Sequence, residues 1–123
     1  MTDKKILVGL LFRPYLDDVA QECCEKGYFP MCFTNFEQTF EAAKEREFQR
    51  YLVDVNLGNP GKIDCSSSKQ IYDLVKERIE QGSAKFVAVS SSKDLVLCAR
   101  KAGLPAEVLG DLGSFDLKEF LKI

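Results

Sequence analysis

The stretch Tyr51–Gly61, YLVDVNLGNPG, decides how the rest of the sequence is read. It starts as an apolar run of strand type, carries a carboxylate at Asp54, then breaks into a loop with two glycines and a proline. Short apolar runs bounded by turn residues suit strands buried on both faces. A charge at the end of such a strand has two readings. Asp54 either organises the loop, accepting backbone N–H bonds from the turn that follows, or is the chemical centre of the protein.

Working outward, the same kind of run recurs on both sides. Ile6–Phe12 (ILVGLLF) is a first strand, and Pro14 suits the first turn of the helix after it. Leu16, Val19, Ala20 and Cys23 form one face of that helix, Asp17 and Asp18 fall in its first turn where the dipole favours them, and Gly27 ends it. YFPMCFT (28–34) is a second strand, placed at a sheet edge because Pro30 lacks a ladder donor. Thr34 or Asn35 caps the next helix, with Phe36, Phe40 and Ala43 as its stripe. After strand three, Tyr51–Asn56, serines cap a helix over 65–82 with Ile71, Leu74, Val75 and Ile79 on one side. A fourth strand (84–92), a helix with Leu95, Cys98, Ala99 and Ala102 inward, a weaker strand (106–113) and a short last helix around Leu117, Phe120 and Leu121 complete the series.

Strand and helix thus alternate five times over 123 residues, enough for one domain, 1–123, and too few for two. Alternation implies a parallel sheet with helices on both faces. Right-handed crossovers and an edge position for strand two give the order 2-1-3-4-5. In such sheets the working site lies beyond the carboxyl ends of the strands, where strand order reverses. That directs attention to 10–14, 54–61 and 90–93.

Composition excludes several classes. A net charge of -2 creates no field to attract nucleic acid or an anionic membrane surface. No apolar run approaches the roughly 20 residues that span a bilayer, and MTDKK opens no signal-peptide pattern. The expected location is cytoplasmic. The five cysteines (Cys23, Cys24, Cys32, Cys65, Cys98) form no C-x-x-C pair and there is no histidine, so no zinc set is expected. Most of the thiols are expected to pack as small hydrophobes. GNPGK lacks the spacing of a phosphate-binding P-loop. There is also no hydroxyl-rich loop after strand one for a flavin, no cysteine there for phosphotransfer and no D-x-H-x-x-G for a corrinoid.

The register of all five units, with ILVGLLF, YLVDVNLGNPG, KFVAVSSS and GSFDLKEFLKI as the nearest matches, resembles the CheY-like receiver domains of response regulators. That resemblance implies an α/β, flavodoxin-like three-layer α/β/α sandwich. It puts the aspartyl phospho-acceptor on Asp54, the metal-binding main-chain carbonyl on Asn56 and the switch hydroxyl on Ser90. Receivers chelate magnesium with carboxylates at the end of strand one; Leu10 and Leu11 stand there. They carry a lysine at the end of strand five; the aligned positions here are Asp111, Leu112 or Gly113. Each such cation is worth roughly 10²-fold or more in phosphoryl-transfer rate, so losing both leaves little.

The resulting expectation is a stand-alone, non-enzymatic pseudo-receiver that needs neither magnesium nor another cofactor. It would bind a protein partner, or a second copy, through the face of helix four, strand five and helix five (95–101 and 111–120). Exposure within the run Leu95–Leu97 would suit that face. Other readings stay open. Ser90 is a helix cap, with Ser91 and Ser92 as rivals, or a switch. Arg13 points to solvent or pairs with Asp54 in place of the metal. Arg13, Lys62 and Lys93 with the serines could instead hold a small anion or nucleotide. An atypical response regulator that accepts phosphate on Asp54 is the remaining alternative.

Overall fold

The computed structural model of the chain describes residues 4–110 and 115–122. In chain order the elements are β1 (Lys5–Gly9), α1 (Arg13–Glu25), β2 (Phe29–Phe33), α2 (Phe36–Glu45), β3 (Arg50–Asp54), α3 (Ser66–Glu80), β4 (Lys85–Ser90), α4 (Lys93–Lys101), β5 (Ala106–Val108) and α5 (Leu117–Phe120). The strands form one sheet, ordered β2-β1-β3-β4-β5, and every pairing is parallel. The architecture is the α/β/α sandwich expected from the alternation of elements. Pro30 sits on the edge strand, opposite Ile6.

Strand alternation sorts the core into two layers. Ile6 and Val8 of β1, Leu52 of β3, and Val87 and Val89 of β4 pack with Leu16, Val19 and Cys23 of α1 and with Leu121. Their neighbours Leu7, Tyr51, Val53, Phe86 and Ala88 face the other way, against Ala42, Ile71, Val75, Leu95 and Ala99 of α2, α3 and α4. A period of two therefore puts one strand's apolar residues into two cores at once, which is why the strands read as continuous apolar runs.

Helix boundaries follow local chemistry. Asn35 caps α2 by accepting the Gln38 N–H at 2.9 Å. Gly27 and Gly82 follow α1 and α3 with φ of +84° and +79°. Several expectations need correction. β1 ends at Gly9, so Leu10–Phe12 are connecting residues. Because α1 begins at Arg13, Asp17 and Asp18 lie in its second turn, outside the dipole's strong region. Leu74 is 44% exposed and Ala102 is exposed at the end of α4, so neither faces the core. The serines at 66–68 open α3 itself and do not cap it through their side chains; Cys65 is the capping position. β5 stops at Val108, and the strand expected over 106–113 runs partly outside the described residues.

One glycine fixes how closely α2 rides over the sheet. A Cβ on Gly9 would lie 2.8 Å from Thr39 Cγ2 and Oγ1 and 3.0 Å from Leu57 Cδ2. Thr39 cannot yield, since it is fully buried and its hydroxyl donates to the Asn35 carbonyl at 2.7 Å. Gly9→Ala is therefore expected to cost about 1–3 kcal/mol by overpacking, read as a lower urea midpoint at unchanged m-value.

At the opposite end of β3, Arg50 is only 8% exposed. Its guanidinium donates to the carbonyls of Phe120 (2.9 Å), Gln49 (2.9 Å) and Lys122 (2.8 Å) and lies 6.0 Å from the Tyr28 ring centroid. The Tyr28 hydroxyl donates to Leu121 O at 2.8 Å. These contacts satisfy the orphan carbonyls at the end of α5 and hold the chain's last turn on the sheet. Among the described residues no helix is long and apolar enough to cross a membrane.

Candidate functional site

The C-terminal ends of β1, β3 and β4 meet as the strand order requires. Asp54 closes β3 on the same face as Arg50 and Leu52, and is half-buried. Its Oδ2 accepts the backbone N–H of Leu11 at 2.6 Å. The carboxylate does organise backbone, but across the sheet at the end of β1 rather than in the turn that follows. Burial raises its pKa from 3.8 to about 6, and the Leu11 hydrogen bond opposes part of that rise.

The residues beside it are apolar. Leu10 is 1% exposed and packs into the α1 side of the core, while Leu11 is half-buried against the other layer. Tyr15, one turn into α1, is close enough to feel the carboxylate: burial first, then the Asp54 charge, pushes its phenol up to about 12. Sequence reading missed Tyr15. The available signal was its place four residues before Val19, on the flank of the buried face.

The cations lie apart from Asp54. Arg13 has a side chain 74% exposed and pairs with Asp17 at 3.3 Å, so it does not stand in for a metal. Lys62 and Lys93 are exposed, and among the described residues no ion pair reaches Asp54. The positions aligned with a strand-five lysine, Asp111 to Gly113, lie outside the described residues.

The loop after β3 is folded on itself. The Asn56 carbonyl accepts the Asn59 N–H at 3.0 Å, and the Asn59 amide donates to Asp64 Oδ2 at 2.8 Å. Asp64 Oδ1 accepts the Ser66 N–H at 2.8 Å, which holds its carboxyl below the ordinary range. Gly58 donates to Ser67 Oγ at 2.8 Å, and a Cβ there would meet Ser67 Cβ at 2.8 Å. Buried Ser68 donates to Val55 O at 2.8 Å. The serines expected as caps thus pin the loop instead. Sequence pattern could not show this, because the hydroxyls act on backbone nine and thirteen residues away.

Ser90 ends β4 with 7% exposure, and its Oγ accepts the Ser92 N–H at 3.1 Å. It is not the helix cap. Ser92 caps α4, accepting the Leu95 N–H at 3.3 Å. One oxygen of the Asp54 carboxylate is thus engaged by the Leu11 N–H, and the Asn56 carbonyl is engaged in a turn. Among the described residues no group of three or more Cys, Asp or Glu side chains could hold a metal ion.

No protein-family model matches the chain, and no curated protein matches it. Solved structures do. A response regulator from Burkholderia pseudomallei, solved with a phosphorylated aspartic acid, calcium ion and citrate, superposes at a TM-score of 0.69 with 21% identity. That match covers 97% of this chain, which spans 65% of the Burkholderia chain. A CheY-like receiver domain protein from Methanospirillum hungatei gives 0.68 at 17% identity, covering 98% of this chain and 89% of that one. A Thermotoga maritima response regulator in complex with Mg(2+)-BeF gives 0.64 at 19% identity over 94% of both chains. The parallel sheet in the order β2-β1-β3-β4-β5 agrees with these matches, and the chain has the CheY-like receiver fold.

Proposed function

We propose that this chain is a receiver-like signalling module that acts by binding a protein partner and does not depend on phosphate at Asp54. The observation that carries the reading is the Asp54 carboxylate itself. It is half-buried, tied by the Leu11 N–H at 2.6 Å and flanked by Leu10 and Leu11 where an acidic pair would stand.

Phosphoryl transfer to a carboxylate depends on positioning and on neutralising the transferred group. Magnesium wants six oxygens in near-octahedral array. Asp54 and the Asn56 carbonyl are a poor set for it: one Asp54 oxygen and the carbonyl already accept backbone N–H bonds, and the two groups offer one charge between them. The face suited to a partner is that of α4, β5 and α5, where Leu97 of α4 is 51% exposed.

Incubation with acetyl phosphate and magnesium, read by intact mass, is expected to leave the mass unchanged. A phosphoryl adduct that disappears in Asp54→Ala would overturn the reading. A photo-crosslinker at position 97, used in cells, is expected to capture the same partner in the wild type and in Asp54→Asn. Loss of capture in the variant would return phosphorylation to the mechanism.

A further inference from the structure

Two thiols from distant parts of the chain lie side by side. Cys65 occupies the capping position of α3 and Cys98 the second turn of α4; their Sγ atoms are 3.7 Å apart. Cys65 Sγ is also 3.9 Å from the Cys98 carbonyl oxygen. Both are half-buried, as is Cys32, whereas Cys23 is buried and Cys24 exposed. The neighbouring backbone is held: Ser67 and Ser68 tie the start of α3 to the β3–α3 loop, and Leu95, Val96 and Ala99 bury α4 in the core. A disulfide would need the 3.7 Å gap to close by about 1.7 Å, a distance within reach of side-chain rotation.

We propose that Cys65 and Cys98 form an intramolecular disulfide when the protein meets a low-molecular-weight disulfide, and that the bond fastens α4 to the start of α3. One thiolate attacks the oxidant, forming a mixed disulfide and releasing one small thiol. The second thiolate then attacks the mixed disulfide, forming the Cys65–Cys98 bond and releasing the other. The protein loses two protons and two electrons, and the oxidant, taking them up, becomes two thiols. The second step is intramolecular, so proximity favours the internal bond over a lasting adduct. Burial, with Cys98 beside it, holds the Cys65 thiol above its ordinary range, so the reaction quickens as pH rises. Its consequence is mechanical. The bond joins α4 to the loop that follows Asp54, whether or not the chain signals.

The test uses the folded, reduced protein with oxidised glutathione at about pH 8, where more thiolate is present. Free thiols are then blocked with N-ethylmaleimide, and the protein is analysed by intact mass and peptide mapping. The expected result is a Cys65–Cys98 linked peptide, loss of two hydrogens, and a thermal midpoint raised by roughly 5–10 °C. Cys65→Ala and Cys98→Ala should each abolish all three, and Cys24→Ala should not. Persistent glutathione adducts, a bond to another cysteine, or a crosslink with an unchanged midpoint would each overturn the proposal.

Discussion

Replacing Arg50 by methionine is expected to destabilise the fold by about 2–4 kcal/mol. Methionine keeps the aliphatic packing and removes the guanidinium, so the carbonyls of Phe120 and Lys122 lose their Arg50 donors together, while the Gln49 carbonyl keeps the Lys85 N–H. Hydrogen bonds to a charged group are worth about 1.5–3 kcal/mol each, and the desolvation recovered from a buried cation offsets part of their sum. The net is a large share of a typical stability of about 5–15 kcal/mol. Urea unfolding should show a lower midpoint at unchanged m-value, and amides at the end of α5 should lose exchange protection first. A shift smaller than about 0.5 kcal/mol, the scale of an ordinary surface substitution, would show that Arg50 does not hold α5 in place.

The second large effect has the opposite sign. Asp54 has a folded pKa of about 6 against an ordinary 3.8. The folded protein therefore binds this proton more tightly than the unfolded chain does. Its contribution to stability is complete below about pH 4 and is lost as pH rises through about 6. By about pH 7.5 the buried charge costs on the order of 3 kcal/mol. Asparagine cannot ionise, yet it keeps an oxygen for the Leu11 N–H. Asp54→Asn should thus stabilise the protein by about 2 kcal/mol at about pH 7.5, and the two unfolding curves should converge near pH 4. Comparing the pair at each pH isolates Asp54 from other groups such as Asp64, whose lowered pKa acts in the reverse direction. A wild type more stable than the variant above pH 7 would mean that a cation faces Asp54, and the pseudo-receiver reading would fall with that result.

Much of this site was legible before any coordinates. Asp54 at the end of a buried run, and Leu10 and Leu11 at the end of another, are statements of residue order, and parallel topology brings those ends together. The hydroxyl positions were not legible. SSS at the start of α3 and SSS leading into α4 look alike as sequence. In the folded chain, Ser67 and Ser68 reach back to the β3–α3 loop, Ser92 caps α4, and Ser90 is buried at the end of β4. Cap chemistry depends on which residue first takes helical dihedrals, and that differs by only one or two positions.

By itself the sequence determined the layer architecture, the strand order and the two leucines beside Asp54. These depend on hydrophobic period, on proline at an edge strand and on chain direction, all local properties. Only the tertiary structure decided that Asp54 is held by Leu11 across the sheet, that Tyr15 stands near it, that Arg50 ties down α5, and that Cys65 meets Cys98. Each joins residues set together by the packing of one element on another, and no spacing along a single chain segment encodes such a distance.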